Sequence, residues 1–350
     1  MENTENLIEW AKQSLLSNGY RLSRAPEEIQ KTPYSSVYRF FSSEGMIYLK
    51  QTPPTLFLEA AIMQRLYDDF QAKVSSVLAT NQELNCFLMK DFGSPLRDRL
   101  KINFQADLLC GALTINTDIQ YKVANHVNTF LELGVPDWRL TELPRLYQAM
   151  IAKDALLLQD GITQTELKQL NELLPVLSSL CELLSQYRLP ETLDHCDFHD
   201  NNVLIKNDSD EMTLIDWGES VIAHVFFPLI SFNSAVANRY QLKEGDPVFI
   251  RLLDACFEHW RSVGSKESLL EAMRVAKKIW PIYSALGYYR LIFSAHLNEG
   301  ATELQSYFTA GRNAGRLAKY FKEFIKMNIG LRPNDVSRVN LGDPARSIQG

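Results

Sequence analysis

Three polar residues in the second half of the chain have the types and spacing that could support phosphoryl transfer. Asp197 and Asn202 lie five residues apart in the segment His-Cys-Asp-Phe-His-Asp-Asn-Asn of residues 195–202, and Asp216 follows in Ile-Asp-Trp-Gly. One carboxylate can take the proton of an acceptor hydroxyl, while an amide oxygen and a second carboxylate can hold Mg²⁺ on phosphates. The pattern therefore indicates an enzyme that moves a phosphoryl group.

A β-hairpin is predicted between these acidic positions. Residues 203–205 and 212–215 are short apolar strands, and residues 207–210 form the turn cluster Asn-Asp-Ser-Asp between them. Because the two ends of a hairpin lie side by side, we expect Asp197 and Asp216 to approach each other. The competing interpretation is that these residues only cap a turn and a helix.

The motif His-x-Asp-x-x-x-x-Asn with a later Ile-Asp-Trp-Gly resembles the aminoglycoside phosphotransferase and choline kinase group of small-molecule kinases, which share the protein kinase fold. The resemblance implies that Asp197 accepts the proton of the attacking hydroxyl and that Asn202 and Asp216 bind Mg²⁺. It implies a structural role in the same loop for His195 and His199. It covers about residues 20–330, with its specific motifs confined to 195–218.

A strand and a helix near the N-terminus supply the expected cation for the nucleotide phosphates. Residues 46–50 are a predicted strand that ends in Lys50, and residues 55–70 are a predicted helix with Glu59 near its start. In the kinase fold such a lysine pairs with a glutamate of the next helix, which holds it against the phosphates. The alternatives are a solvated strand end for Lys50 and a favourable helix-end charge for Glu59.

The segment expected to cover the phosphates departs from the protein kinase pattern. It lies near residues 31–36, Lys-Thr-Pro-Tyr-Ser-Ser, and contains no glycine. Ser35 and Ser36 are small and could offer backbone N–H and hydroxyl groups to phosphate. We therefore assign both to nucleotide binding.

A central strand leading into a hinge is predicted at residues 85–93. The backbone groups of Leu88, Met89 and Lys90 are where an adenine edge could be read. The alternative is a buried strand followed by a turn. The triplet Asp91-Phe92-Gly93 mimics a metal-binding sequence, but it precedes the catalytic loop and is interpreted as a turn.

Composition limits the class of protein and its partners. The 350 residues are 46% hydrophobic and 22% charged, with a net charge of −6 and no long basic run. This balance favours a soluble, cytoplasmic protein with no nucleic-acid partner and no membrane partner. The five cysteines show no metal-like spacing, and Cys196 is interpreted as a small filler of the catalytic loop.

We therefore predict an α+β, protein kinase-like, two-lobe fold. Residues 1–90 would form a small N-lobe with an antiparallel sheet, 91–330 a large, mainly helical C-lobe, and 331–350 a mobile tail. The sequence does not indicate the oligomeric state.

The predicted function is an ATP- and Mg²⁺-dependent O-phosphotransferase with a small-molecule hydroxyl acceptor. Candidate acceptors are an aminoglycoside, choline or ethanolamine, a sugar, or homoserine. The alternative is a catalytically silent nucleotide-binding pseudokinase or scaffold, which the glycine-free loop would favour. The side chains considered for acceptor contact are Asp200, Glu219, Tyr288, Tyr289, His296 and Glu299. For each of them the alternative is a packing or solvated residue.

Overall fold

The chain divides into two compact units. A computed structural model describes residues 2–243, 245–296, 306–308 and 311–338. The first unit comprises Met1–Gln105 and Asp200–Glu219, and the second comprises Ala106–His199 and Ser220–Gly350. The first boundary lies after residue 105 rather than at the predicted position 90. The segment that contains the hairpin belongs to the same unit as the N-terminal residues.

The elements follow in chain order. The strands are β1 (Glu27–Lys31), β2 (Ser36–Ser42), β3 (Gly45–Gln51), β4 (Val77–Asn81), β5 (Cys86–Lys90), β6 (Ser94–Pro95), β7 (Glu191–Asp194), β8 (Val203–Ile205), β9 (Met212–Leu214) and β10 (Val221–His224). The α-helices are α1 (Glu2–Ser17), α2 (Leu58–Phe70), α3 (Leu96–Ile102), α4 (Ala106–Val123), α5 (Val127–Glu132), α6 (Leu143–Ile151), α7 (Asp154–Gln159), α8 (Gln164–Glu172), α9 (Leu174–Ser185), α10 (Phe227–Tyr240), α11 (Pro247–Phe257), α12 (Lys266–Ala295) and α13 (Arg316–Asn328). Short 3₁₀ helices lie at Pro54–Leu56, Trp217–Glu219, Glu258–Trp260, Gly311–Asn313 and Pro333–Arg338.

A five-stranded antiparallel sheet forms the body of the first unit. Its strand order is β1-β2-β3-β5-β4. Phe40 and Leu49 point to one face of this sheet and are completely buried, together with Leu7 and Leu15 of α1. The alternation of buried and partly exposed residues along β2 and β3 is the period of two that the sequence shows. The predicted small antiparallel sheet is confirmed.

The helix after β3 begins later than predicted. The expected start was residue 55, but Pro54–Leu56 forms a 3₁₀ turn and α2 starts at Leu58. Proline has no backbone N–H and a fixed φ, so Pro54 is accommodated in the first turn rather than inside a helix. Glu59 is consequently the second residue of α2 and lies in its first turn.

The predicted hairpin is present and belongs to a second, three-stranded sheet. β8 and β9 pair in antiparallel register from Val203↔Leu214 to Ile205↔Met212. β6 adds to the other edge of β8, with Ser94 opposite Ile205. This pairing joins the residues just after β5 to the hairpin, which explains why both segments lie in one unit.

A close approach at Gly93 holds this sheet together. Gly93 has a φ of +137°, and a Cβ at this position would overlap the carbonyl oxygen of Ile205.

Gly93→Ala is expected to lower the free energy of unfolding by about 3 kcal/mol, through backbone strain and the overlap with β8. Thermal and denaturant unfolding would measure the loss. Gly45→Ala is the matched control, because Gly45 also has a positive φ of +110° but an open surrounding. Equal losses in the two variants would contradict the packing argument.

The second unit is mainly helical, as predicted for the larger part of the chain. Its two strands, β7 and β10, pair in antiparallel register from Val221↔Asp194 to His224↔Glu191. The longest helix, α12, spans 30 residues and packs against α13. Its buried residues include Tyr283, whose side chain is 1% exposed. No helix in the described part of the chain is long and apolar enough to cross a membrane.

Part of the predicted mobile tail is folded. Pro333–Arg338 forms a 3₁₀ helix that contacts α9. Val336 is 3% exposed. Burial of this apolar side chain stabilises the packing of the segment. The polar composition of the tail did not indicate this contact. The remainder of the predicted tail, residues 339–350, lies outside the described residues.

Candidate active site

A buried lysine lies between two carboxylates in the first unit. Lys50 Nζ is 2.6 Å from Glu59 Oε2 and 2.6 Å from Asp216 Oδ1. Lys50 and Glu59 are almost fully buried, whereas the Asp216 side chain is 47% exposed. The predicted pairing of Lys50 with Glu59 is therefore present. The contact with Asp216 was not anticipated by the sequence.

Local structure explains how these three groups meet. Lys50 lies inside β3, opposite Val37 of β2 and Phe87 of β5, so its backbone is held from both sides. Gly218 lets the turn after Asp216 approach the start of α2. A Cβ at Gly218 would lie 3.1 Å from the Leu56 carbonyl oxygen, closer than ordinary packing allows.

The electrostatics of this cluster keep the lysine charged. Burial lowers the pKa of Lys50, but the negative charges of Asp216 and Glu59 outweigh it, so the pKa is raised overall. Burial raises the pKa of Glu59 to about 7, more than the nearby Lys50 lowers it. The single cation Lys50 thus faces the carboxyl groups of Glu59 and Asp216, whose negative charge keeps it protonated.

The hairpin brings Asn202 next to the residues that precede Asp216. The N–H of Ile215 donates to the carbonyl oxygen of Asn202 at 3.0 Å. Asn202 is 4% exposed. Asp216 has a φ of +69°, in the left-handed region that few residues other than glycine adopt. The backbone of Asn202 therefore lies one residue from Asp216 across the hairpin, and metal binding by the two side chains stays a prediction.

The donor set suits Mg²⁺. Asn202 and Asp216 supply oxygen ligands, the kind that this hard cation prefers, and Mg²⁺ usually completes its shell with phosphate oxygens and water. Within the described ranges, no group of three or more His, Cys, Asp or Glu side chains is arranged to hold a metal ion.

The predicted proton acceptor, Asp197, lies on an accessible part of its loop in the second unit. Its side chain is 41% exposed, and its Oδ2 is 3.5 Å from His199 Nε2. His195 is completely buried, and its ring centroid is 6.3 Å from that of Phe198. Phe198 in turn stacks on Phe232 of α10 at 4.7 Å. The buried rings of His195 and Phe198 thus anchor the loop around the exposed carboxylate. A structural role for His199, whose side chain is 26% exposed, stays a prediction.

Asp200, one of the side chains considered for acceptor contact, is paired with protein, which favours the packing alternative over a ligand contact. Its side chain is 3% exposed and forms an ion pair with Arg97, whose Nη2 is 2.8 Å from Asp200 Oδ1. The N–H of Arg97 also donates to the carbonyl oxygen of Asp200 at 3.0 Å. A buried carboxylate needs such a partner. Asp200 therefore has a structural role.

The glycine-free loop forms a turn closed by Thr32. The Thr32 hydroxyl oxygen accepts the N–H of Ser35 at 3.0 Å, and the Thr32 N–H donates to the Ser35 carbonyl oxygen at 2.9 Å. Ser36 starts β2, opposite Gln51 of β3. The Ser35 N–H is thus already used within the turn, which leaves the serine hydroxyls as the simpler donors to phosphate. Phosphate binding by Ser35 and Ser36 stays a prediction.

The segment predicted to read adenine is well paired. Leu88 lies inside the sheet, opposite Leu49 and Ala79. The N–H of Lys90 donates to the Ser76 carbonyl oxygen at 3.3 Å, and its own carbonyl oxygen accepts the Ser75 hydroxyl at 2.7 Å. Adenine recognition by Leu88, Met89 and Lys90 stays a prediction.

The Asp-Phe-Gly triplet after β5 is a turn. The N–H of Gly93 donates to Asp91 Oδ1 at 3.3 Å. Burial raises the pKa of Asp91, while the N–H groups of Gly93 and Phe92 lower it. This agrees with the interpretation of the triplet as a turn.

Among the other acceptor candidates, the aromatic residues of α12 pack against protein. Tyr288 is 6% exposed, and Tyr289 stacks on Phe308 with ring centroids 5.2 Å apart. His296 stacks on Tyr307 at 3.5 Å. Glu299 lies outside the described residues. These aromatic side chains therefore pack against other parts of the protein, as the packing alternative expects.

Sequence reasoning missed a buried carboxylate just before the catalytic loop. Asp194 ends β7, is completely buried and accepts the N–H of Cys196 at 2.8 Å. Burial raises the pKa of the Asp194 carboxyl to about 7, although the Cys196 N–H and the Tyr283 hydroxyl both lower it. The sequence offered no clear signal, because β7 reads Glu-Thr-Leu-Asp and no apolar run marks its end as buried.

Comparison with models of known protein families identifies the family of the chain. Its sequence matches the model of the phosphotransferase enzyme family, abbreviated APH, over residues 46–263. The chain belongs to this family. The match covers more than half of the chain and includes Lys50, Asp197 and Asp216. The predicted family and the predicted enzyme class are confirmed.

Solved structures of small-molecule kinases share the fold of this family member. An ethanolamine kinase of Plasmodium vivax is 13% identical, with a TM-score of 0.57, covering 90% of this chain and 84% of that chain. A macrolide 2'-phosphotransferase of Brachybacterium faecium is 13% identical, with a TM-score of 0.53 and coverage of 88% and 99%. A choline kinase of Streptococcus pneumoniae is 12% identical, with a TM-score of 0.51 and coverage of 90% and 98%. The predicted α+β kinase-like fold is confirmed. No curated protein sequence matches this family member.

Proposed function

We propose that the protein is an ATP- and Mg²⁺-dependent phosphotransferase that acts on a hydroxyl group of a small molecule. The Lys50–Glu59–Asp216 cluster carries this proposal. A lysine fixed between two carboxylates is a rigid cation beside a metal-binding carboxylate, which is the arrangement that phosphoryl transfer uses. Membership of the phosphotransferase family supports the same conclusion.

Each residue has a distinct role in this proposal. Asp197 orients the acceptor hydroxyl and takes its proton on a carboxylate oxygen. Lys50 binds the α- and β-phosphates and is held in place by Glu59. Asn202 and Asp216 hold Mg²⁺, which when bound neutralises charge on the phosphates. Positioning and charge compensation, rather than covalent chemistry, account for the rate.

The acceptor is proposed to be a small molecule rather than a protein. The turn Trp217–Glu219 is followed directly by β10 and α10. No long loop that could bind a protein substrate therefore follows Asp216 in this described part of the chain. Aminoglycosides, macrolides, choline, ethanolamine, sugars and homoserine are the classes of acceptor to test.

A panel assay tests the proposal. The purified chain is incubated with Mg²⁺, ATP and each acceptor class, and ADP release is measured together with the mass gain of the acceptor. Phosphorylation of at least one hydroxyl compound is expected. Binding of ATP without transfer to any member of a broad panel would instead favour the silent nucleotide-binding alternative, which no contact in the described part of the chain supports.

The role of Lys50 gives a further expected result. Lys50→Ala removes the fixed cation and is expected to lower kcat/KM for ATP by about 100-fold. Circular dichroism would establish that the variant is folded, because removing the lysine also leaves Glu59 buried without its partner. Lys73→Ala, at an exposed lysine of the same unit, is the matched control. Unchanged kcat and KM for ATP in Lys50→Ala would reject the assignment.

A further inference from the structure

A left-handed residue introduces the catalytic loop. Cys196, directly before Asp197, has a φ of +65°. This conformation is unfavourable for any residue with a side chain except where neighbouring groups enforce it. The direction of the chain at Asp197 depends on whether this conformation is kept.

One buried carboxylate stabilises this conformation. Asp194 Oδ1 accepts the N–H of Cys196 at 2.8 Å, a bond from a side chain to the backbone two residues later. Asp194 is completely buried at the end of β7, and β10 pairs along the same strand. The acceptor is thus held by a paired strand, while the donor belongs to the loop that follows it.

The partly buried side chain of Cys196 packs against α12. A Cβ added at Gly287 would lie 3.3 Å from Cys196 Sγ, so only glycine leaves ordinary packing space there. The Tyr283 hydroxyl, one helical turn earlier, interacts with the Asp194 carboxylate and the Cys196 thiol without reaching the geometry of a formed hydrogen bond. The loop start therefore lies between a fixed strand end and a fixed helix face.

Burying this carboxylate costs stability, which argues for a role other than folding. The side chain is surrounded by protein, and burial raises its pKa to about 7. An apolar residue would suit the end of a buried strand better, since an isolated buried carboxylate is unfavourable. The bond to the Cys196 N–H is the contact that such a residue could not make.

We propose that Asp194 is a positioning residue, which holds Cys196 in its left-handed conformation and thereby fixes the direction in which the loop presents Asp197. The inference rests on the proposed role of Asp197 in proton transfer. Asp194 itself touches no reacting atom. Its contribution is to the orientation of the base and therefore to kcat rather than to nucleotide binding.

Three substitutions separate positioning from folding. Asp194→Val removes the hydrogen-bond acceptor, so kcat is expected to fall about 10- to 100-fold with KM for ATP unchanged. Because valine suits a buried strand, the melting temperature is expected not to fall. Asp194→Asn keeps an accepting oxygen and is expected to retain most activity. Asp194→Val combined with Cys196→Gly is expected to recover most of the lost kcat, because glycine adopts the left-handed conformation without help.

A second readout does not depend on activity. Hydrogen exchange of the Cys196 amide is expected to be protected in the wild type and in Asp194→Asn, and faster in Asp194→Val at unchanged global stability. Thr192→Val is the control, because it removes a buried hydrogen bond from the same strand, to the Gln120 carbonyl oxygen, without touching the loop. It is expected to change neither the Cys196 amide nor kcat.

The outcomes distinguish this inference from the proposed function. A wild-type chain that transfers no phosphate would overturn the function, and amide exchange would still decide whether Asp194 holds Cys196. The inference is overturned if Asp194→Val keeps wild-type kcat or wild-type exchange. It is also overturned if Asp194→Asn loses as much kcat as Asp194→Val, or if Asp194→Val fails to fold even with glycine at position 196.

Discussion

Asp197→Asn is expected to lower kcat by about a thousand-fold with little change in KM for ATP. The amide has the size of the carboxylate but cannot take a proton, so it removes the base while leaving the loop packed. The fold should persist, because the Asp197 side chain is 41% exposed and the buried rings of His195 and Phe198 hold the loop. Steady-state ADP release with a competent acceptor measures the loss.

The control for this variant is Asp208→Asn. Asp208 is exposed in the turn between β8 and β9, so the same chemical change occurs away from the loop. Its turnover should equal that of the wild type. Near-full turnover in Asp197→Asn would show that another group, or solvent, accepts the proton.

Asp216→Ala is expected to cause a comparable loss and to change the dependence on Mg²⁺. The substitution removes one of two proposed metal ligands, so half-maximal activity should need a higher Mg²⁺ concentration and kcat should fall about a thousand-fold. The chain should remain folded, because Lys50 and Glu59 still form a pair of opposite charges with Nζ and Oε2 2.6 Å apart. Turnover as a function of Mg²⁺ concentration measures both effects.

Asp210→Ala provides the comparison for the metal site. Asp210 is an exposed acidic residue of the same hairpin, 2.7 Å from Arg99 Nη2. Ion pairs of this exposed kind contribute little to stability, so wild-type activity is expected. A metal dependence in Asp216→Ala identical to that of the wild type would remove Asp216 from the proposed site.

Local patterns predicted the parts of the site that depend on neighbouring sequence. The hairpin followed from two apolar runs around a polar turn, and its register places Ile215 against Asn202. The short chain between the two strands leaves element type and spacing to determine that contact. The pairing of Lys50 with Glu59 was implied by the resemblance to the kinase fold, and spacing along the strand and the next helix selected the two residues.

Contacts between distant segments were not visible in the sequence. The ion pair of Asp200 joins it to Arg97, 103 residues earlier, and nothing local distinguishes a paired carboxylate from an accessible one. The approach of Tyr283 to Asp194 has the same origin. Periodicity reports which face of an element is buried, but not which group from another element faces it there.

Backbone conformation explains the remaining differences between the sequence predictions and the structure. The Thr32 hydroxyl closes the turn before β2 and uses the N–H of Ser35 that the sequence had assigned to phosphate. Asp216 and Cys196 both adopt positive φ, although neither is glycine. Such conformations are imposed by the surrounding structure, and they concentrate where chemistry is performed.

The most direct test follows the phosphate itself. ATP labelled at the γ-phosphate is incubated with Mg²⁺, the purified chain and a small-molecule extract, and the products are separated and counted. Label in a small hydroxyl compound with the wild type, and its loss in both Asp197→Asn and Asp216→Ala, is the expected result. Label that never leaves ATP with the wild type, or that reaches the same product equally well in Asp197→Asn, would contradict the account.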